Sequence, residues 1–123
     1  MSDRINSYRT TETGNRPWGS WTVIDAGPGF AVKRIVVKAG GKLSLQRHQW
    51  RAEHWIVVGG SAQISLDGAE ATLRENESVF IPIGAVHRLA NPGPGDLVVI
   101  EVQHGSRLEE TDIQRLQDDY GRG

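Results

Sequence analysis

Residues 40–55 read GGKLSLQRHQWRAEHW, and the order of residue types in that stretch decides the fold. Gly40-Gly41 breaks the preceding segment. Leu43 and Leu45 then alternate with Ser44, Gln46 and His48, the period of a strand buried on one side and polar on the other. Side chains two apart on a strand leave the same face, so Gln46 and His48 point together. Glu53 opens the following strand, and an antiparallel return brings its carboxylate opposite that pair. An amide, an imidazole and a carboxylate converging in this way can share one ion.

Working outward, strand and turn signals alternate along the chain. Upstream, Arg16-Pro17-Trp18-Gly19 is a turn, Trp21 to Ile24 a short strand, and Gly27-Pro28-Gly29 a second turn. Phe30 to Lys38 follows as a β-branched run of strand length. Downstream, Gly59-Gly60 and Asp67-Gly68 read as hairpin turns between Glu53–Val58, Ala62–Leu66 and Glu70–Leu73. Asn76 to Ile81 leads into Pro82-Ile83-Gly84, which aims the next strand, with His87, back across the same cavity. Asn91-Pro92-Gly93-Pro94-Gly95 separates it from a last strand, Leu97 to Gln103. About nine short strands at 8–12-residue spacing predict an all-β sandwich or barrel. Only the tail reads as helical, with Thr111 as cap and Ile113 and Leu116 on one face. The polar residues 1–15 are expected as a flexible arm, and residues 16–123 as a single domain.

Composition narrows the chemistry. Cysteine is absent, which excludes disulfides, thiolate ligands and a cysteine nucleophile. Fourteen Lys and Arg against 15 Asp and Glu give no bulk charge for nucleic acid. No apolar run approaches the roughly 18 residues of a membrane span, and the polar N-terminus lacks a signal-peptide core. The chain is therefore expected in the cytoplasm, bound to neither nucleic acid nor membrane.

The spacings of this site resemble the two motifs of the cupins. Gly40, Gln46, His48, Glu53 and Gly60 follow the first, Gly-x5-His-x-His-x4-Glu-x6-Gly. Asn76, Pro82, Gly84, His87 and Asn91 follow the second, Gly-x5-Pro-x-Gly-x2-His-x3-Asn. Gln46 stands for the first histidine and Asn76 for the opening glycine. The segments RPWGSW, KRIVVKAGGKLSLQ, RAEHWIVV, ENESVFIPIGAVHRLANPG, IEVQHGS and DDYGR are similar to the C-terminal isomerase domain of type II mannose-6-phosphate isomerases, from about Arg16 to Arg122. Glutamine at the first ligand position is usual in that family, whereas His-His is usual where this chain has Gln49-Trp50.

The resemblance implies a cupin double-stranded β-helix, a jelly-roll barrel with a short C-terminal helix. It further implies one divalent metal on Gln46, His48, Glu53 and His87, with zinc first and manganese, iron, cobalt or nickel also suited. The implied reaction is the aldose–ketose isomerisation of mannose 6-phosphate to fructose 6-phosphate, in nucleotide-sugar and polysaccharide biosynthesis. The guanylyltransferase domain that usually precedes this one in the family has no counterpart in the 123 residues, so nucleotidyl transfer is not expected of them.

Roles for other residues follow from position. Arg51, between the ligand strands, and Lys33, on a strand that can line the barrel, are expected to hold the phosphate, and Arg51 to assist the chemistry. Glu101 and Gln103 share a strand face with Leu97 and Val99. If that face turns inward, Glu101 is the acid/base group and Gln103 a substrate contact. His54, next to Glu53, should face away. Trp18, Trp21 and Trp55 read as core or interface aromatics, and Trp50 as lying at the cavity mouth. Strands apolar on both faces, such as Ala31 to Val37, predict a homodimer. Two other readings fit the same residues: a non-catalytic metal- or sugar-binding cupin, and a metal-dependent oxygenase using two histidines and a carboxylate.

Overall fold

A computed structural model describes residues 5–120 as thirteen strands in three sheets. In chain order the strands are β1 (Ile5–Asn6), β2 (Thr13–Arg16), β3 (Gly19–Gly27), β4 (Phe30–Val37), β5 (Leu45–Arg47), β6 (Arg51–Gly59), β7 (Ala62–Leu66), β8 (Ala69–Leu73), β9 (Ser78–Ile81), β10 (His87–Ala90), β11 (Leu97–Gly105), β12 (Arg107–Leu108) and β13 (Gln114–Gln117). Six of them pair in the order β2-β3-β4-β11-β6-β9, and five in the order β13-β5-β10-β7-β8. The two sheets pack as a sandwich around one core, and β1 pairs with β12 beside them. No helix among the described residues is long and apolar enough to cross a membrane.

Turn chemistry closes the hairpins. Asp67 and Gly68 both take positive φ, 47° and 86°, the pair of left-handed residues that a two-residue hairpin between β7 and β8 requires. Asn76 sits at φ 71°. Asparagine tolerates that left-handed conformation far better than most residues, which explains how it stands where the second cupin motif has glycine.

Strict alternation on β4, β6 and β11 turns the odd-numbered residues inward. Ile35, Val37, Trp55, Val57, Leu97 and Val99 fill one end of the interior, against Ile64 and Leu89 from the opposite sheet. The same alternation continues into Lys33, Glu53, Glu101 and Gln103 at the other end, all buried. Glu101 is registered against Lys33 on one side and Trp55 on the other, and Gln103 against Glu53.

Two expectations are corrected here. The tail forms β13 rather than a helix, pairing with β5 through Gln114↔Arg47 and Arg115↔Gln46. A segment this short gains little as an isolated helix, whereas the open edge of β5 offers it backbone partners along Leu45–Arg47. Residues 5–15 do not form a loose arm: β2 pairs along β3, and Tyr8 is buried against the edge of the Trp21 ring. Residues 1–4 of that expected arm lie outside the described residues.

Candidate metal centre

The two histidines arrive on the five-stranded sheet and the carboxylate on the six-stranded one. Gln46 on β5 is registered directly opposite His87 on β10, so both side chains leave one face. His48 follows β5 by one residue, and Glu53 lies on the inward row of β6. One ligand atom from each of His48, Glu53 and His87 lies within 4.8 Å of the other two. His48 Nε2 is 3.3 Å from Glu53 Oε2, and His87 Nε2 is 3.7 Å from Glu53 Oε1. Gln46 lines the same cavity, its amide nitrogen 3.3 Å from the Ser44 carbonyl to which it donates.

Hydrogen bonds fix the histidine tautomers. His48 Nδ1 is 2.6 Å from the Asp112 carbonyl and His87 Nδ1 is 2.9 Å from the Ala85 carbonyl. A carbonyl oxygen can only accept, so each Nδ1 carries the proton and, in the neutral ring, each Nε2 presents a lone pair. Both Nε2 atoms face Glu53. This is the orientation that metal-binding histidines take when a backbone carbonyl holds the other nitrogen.

Charge supports the same assignment. Burial, then Arg51 and His87, hold His48 down to about 3, so the ring is neutral throughout the ordinary pH range. Burial alone would raise the Glu53 carboxyl, but Arg51 and His87 outweigh it and keep the group below its ordinary value. A neutral His48 imidazole beside an ionised Glu53 carboxylate is the protonation state in which those two groups can ligate a divalent cation. The donor set therefore fits a divalent metal.

Arg51 is buried and committed. Its Nε donates to Glu53 Oε2 at 2.8 Å, one terminal nitrogen donates to the Glu109 carbonyl at 3.2 Å, and the other lies 3.3 Å from His48 Nε2. It neutralises Glu53 and ties the 109–113 segment to the ligand cluster.

Glu101 faces inward. The Trp55 indole N–H reaches both Glu101 Oε2 (2.9 Å) and Glu53 Oε1 (3.1 Å), joining the two carboxyls. Gln103 donates to Glu101 Oε1 at 2.7 Å, and its own amide oxygen is buried without a partner. Burial first and the neighbouring Glu53 second push the Glu101 carboxyl up to about 7, with Lys33 and Arg51 opposing them.

Other expected positions resolve differently. Lys33 is buried, but Tyr8 and Glu110 take its ammonium, each at 2.9 Å. His54 is exposed and stacked near Phe80, on the opposite face as expected. Trp50 does not lie at the cavity mouth: it is 40% exposed, with Arg107 5.6 Å above its ring. Its backbone N–H and that of Gln49 are held by the Asp112 carboxylate at 3.0 and 2.9 Å. That restraint on the β5–β6 turn aims Trp50 outward. Tyr8, Arg16, Glu110 and Arg115 also belong to the site region, and nothing local in their neighbourhoods marks them, whereas Ser44 lines the cavity from the polar face it shares with Gln46.

A jelly-roll sandwich with an inward His-Glu-His cluster at cupin spacing defines the class as a cupin. Solved structures agree in fold. The capsular polysaccharide assembling protein CapF of Staphylococcus aureus matches with TM-score 0.77 at 23% identity, covering 86% of this chain and 34% of that one. An oxalate decarboxylase of Lactobacillus farciminis matches with TM-score 0.74 at 19% identity, over 86% and 33%.

Residues 3–118 match the family model described as mannose-6-phosphate isomerase C-terminal, and the chain belongs to that family. It is 59% identical to the alginate biosynthesis protein AlgA of Pseudomonas aeruginosa, over 96% of this chain and 26% of that protein. It is 50% identical to the mannose-1-phosphate guanylyltransferase of Escherichia coli, over 98% and 25%. The chain thus spans about a quarter of the length of these relatives.

Proposed function

We propose that this cupin interconverts mannose 6-phosphate and fructose 6-phosphate, with a divalent ion, zinc in the first instance, on Gln46, His48, Glu53 and His87. The observation that carries the reading is one cavity, lined from both sheets, in which the metal ligands meet a carboxyl outside the ligand set and cationic side chains. Bound there, the ion would supply Lewis-acid polarisation of the sugar's carbonyl and hydroxyl oxygens. Glu101, which lines the same cavity, would take a proton from one of the two carbons and return it to its neighbour, through an enediol. Trp55 and Gln103 orient the Glu101 carboxyl for the transfer. Arg51 holds Glu53 ionised and in place. Family membership and the names of the relatives, alginate biosynthesis protein and mannose-1-phosphate guanylyltransferase, support a place in nucleotide-sugar and polysaccharide biosynthesis.

The test is conversion of mannose 6-phosphate by purified protein reconstituted with Zn²⁺, Mn²⁺, Fe²⁺, Co²⁺ or Ni²⁺ in turn. Metal-dependent appearance of fructose 6-phosphate that is lost in Glu101→Gln supports the reading. Binding of the sugar phosphate without turnover under every metal would replace it with a non-catalytic cupin.

A homodimer is the proposed working form. The outer face of the six-stranded sheet carries a cross-strand row of Phe80, His54, Val102 and Val32, with Ile56 and Ile100 in the next. Phe80 and Val58 are each 49% exposed. Exposed apolar side chains on one sheet face suit a two-fold contact with a second copy. Light scattering at micromolar concentration should report a dimer, and Phe80→Glu should shift it to monomer; a monomeric wild type would contradict the proposal.

A further inference from the structure

Glu110 is the most heavily solvated member of the cavity's polar lining, yet three donors from three elements converge on its carboxylate. Lys33 Nζ from β4 lies 2.9 Å away and Arg16 Nη2 from β2 lies 3.2 Å away. The Tyr8 hydroxyl, from the segment between β1 and β2, donates to the same oxygen as Lys33. Lys33 has its ammonium over the faces of Tyr8 and Trp21, 4.0 and 4.2 Å from the ring centroids. An ammonium buried this deeply requires an anion. The groups therefore form a finished anion seat, and the anion in it is the chain's own.

We propose that Tyr8, Arg16 and Lys33 are the seat for a phosphate monoester, and that Glu110 is its resting occupant, displaced when the phosphate arrives. This deepens the sugar-phosphate reading above and rests on it for the identity of the ligand.

Four features favour exchange over a fixed ion pair. Free space in the cavity amounts to about 70 Å³, room for a handful of waters at roughly 10–15 Å³ each, so a sugar phosphate gains room there when a lining side chain withdraws. Glu110, with its side chain 40% exposed, has solvent to move into.

Second, its flanks are anchored. Arg51 holds the Glu109 carbonyl, and Asp112 is tied to His48, Gln49 and Trp50. The exchange is therefore a rotation of one side chain rather than an opening of the segment.

Third, the cavity lining contains polar atoms without partners. Ser44 is 1% exposed and Gln103 0%, both line the cavity, and Ser44 Oγ and Gln103 Oε1 have no hydrogen bond. Buried polar atoms are seldom left so unless a ligand or water satisfies them, and a hydroxylated sugar would.

Fourth, cations outnumber carboxylates in the lining, which carries Arg16, Lys33, Arg51 and Arg115 against Glu53, Glu101 and Glu110. Withdrawing Glu110 leaves Lys33 and Arg16 without their counter-ion at the point where the phosphate would sit. Burial pushes the Tyr8 phenol well above its ordinary value, so it stays a donor to whichever anion is present.

Inorganic phosphate is the probe, titrated by calorimetry into metal-stripped protein so that no bound ion can capture it. Glu110→Gln should bind phosphate at least tenfold more tightly than wild type. Arg16→Gln, at the exposed rim, should weaken phosphate several-fold in the Glu110→Gln background without threatening the fold, and Lys33→Gln should abolish it. Equal phosphate affinity in wild type and Glu110→Gln, or unchanged affinity on removing Arg16, would overturn the seat. Because neither metal nor sugar is present, the result is separable from the isomerase reading. Tighter phosphate in a domain that never converts mannose 6-phosphate keeps the seat and removes the isomerase. Turnover without the affinity gain does the reverse.

Discussion

The inner face of the six-stranded sheet has two ends built by the same rule and filled with opposite chemistry. At one end Ile35, Val37, Val57, Leu97 and Val99 make an apolar layer. At the other, β4, β6 and β11 keep the same inward alternation but place Lys33, Arg51, Glu53, Glu101 and Gln103 there, equally buried. Burying charge is costly unless each group is paired and hydrogen-bonded, and here the pairing is dense: Arg51 with Glu53, Lys33 with Glu110, and Trp55 bridging two carboxyls. The contrast teaches that the apolar end can hold the fold while the polar end is free to serve a ligand.

The largest effect should come from the apolar end. Leu89→Ala removes a fully buried side chain that packs there from the opposite sheet, and should cost about 2–5 kcal/mol by denaturant unfolding. Metal stoichiometry of the folded fraction should be unchanged. Loss of metal with little loss of stability would break the division between the two ends.

Trp55 sharpens the comparison because it belongs to both, with an apolar ring and a polar N–H on two carboxyls. Trp55→Phe keeps most of the ring and deletes the donor. It should cost roughly 1–3 kcal/mol and lower metal affinity about 10–100-fold, read by unfolding and by competition with a chelator. An unchanged affinity would mean that the indole merely packs.

The smallest effect concerns Glu110 and pH. Burial works against its ionisation, but Lys33 and the hydrogen bonds from Tyr8 and Lys33 prevail and lower it from 4.5 to about 2, with Arg51 adding to the pull. A carboxyl depressed in the folded state contributes stability above its unfolded value, and loses it as pH falls through the folded one. The melting-temperature advantage of wild type over Glu110→Gln should therefore be full above about pH 5 and fade toward pH 2. An advantage independent of pH would mean that the ion pairs do not supply it.

Legibility of the sequence tracks how local the determining contacts are. Inward alternation, hairpin turns and the Gln46, His48, Glu53 cluster are set by spacings of a few residues, and His87 by a turn that redirects its strand. Lys33 could be placed on a barrel-lining strand, but its partners could not: Tyr8 is 25 residues away and Glu110 is 77. Those distances also hid the packing of residues 5–15. The tail misled because Ile113 and Leu116 fit a helical face, while the edge of β5 that captures residues 114–117 as β13 is visible only once the sheet is assembled. Trp50 misled because the Asp112 carboxylate that holds its turn is 62 residues away.

The central claim is that the ligand cluster carries a metal and not the fold. Metal analysis of His48→Ala and His87→Ala, paired with circular dichroism and thermal unfolding of the same samples, tests it most directly. Both variants should hold no stoichiometric metal while keeping the wild-type β spectrum and a cooperative transition. Variants that unfold, or that keep one tightly bound metal per chain, would contradict it.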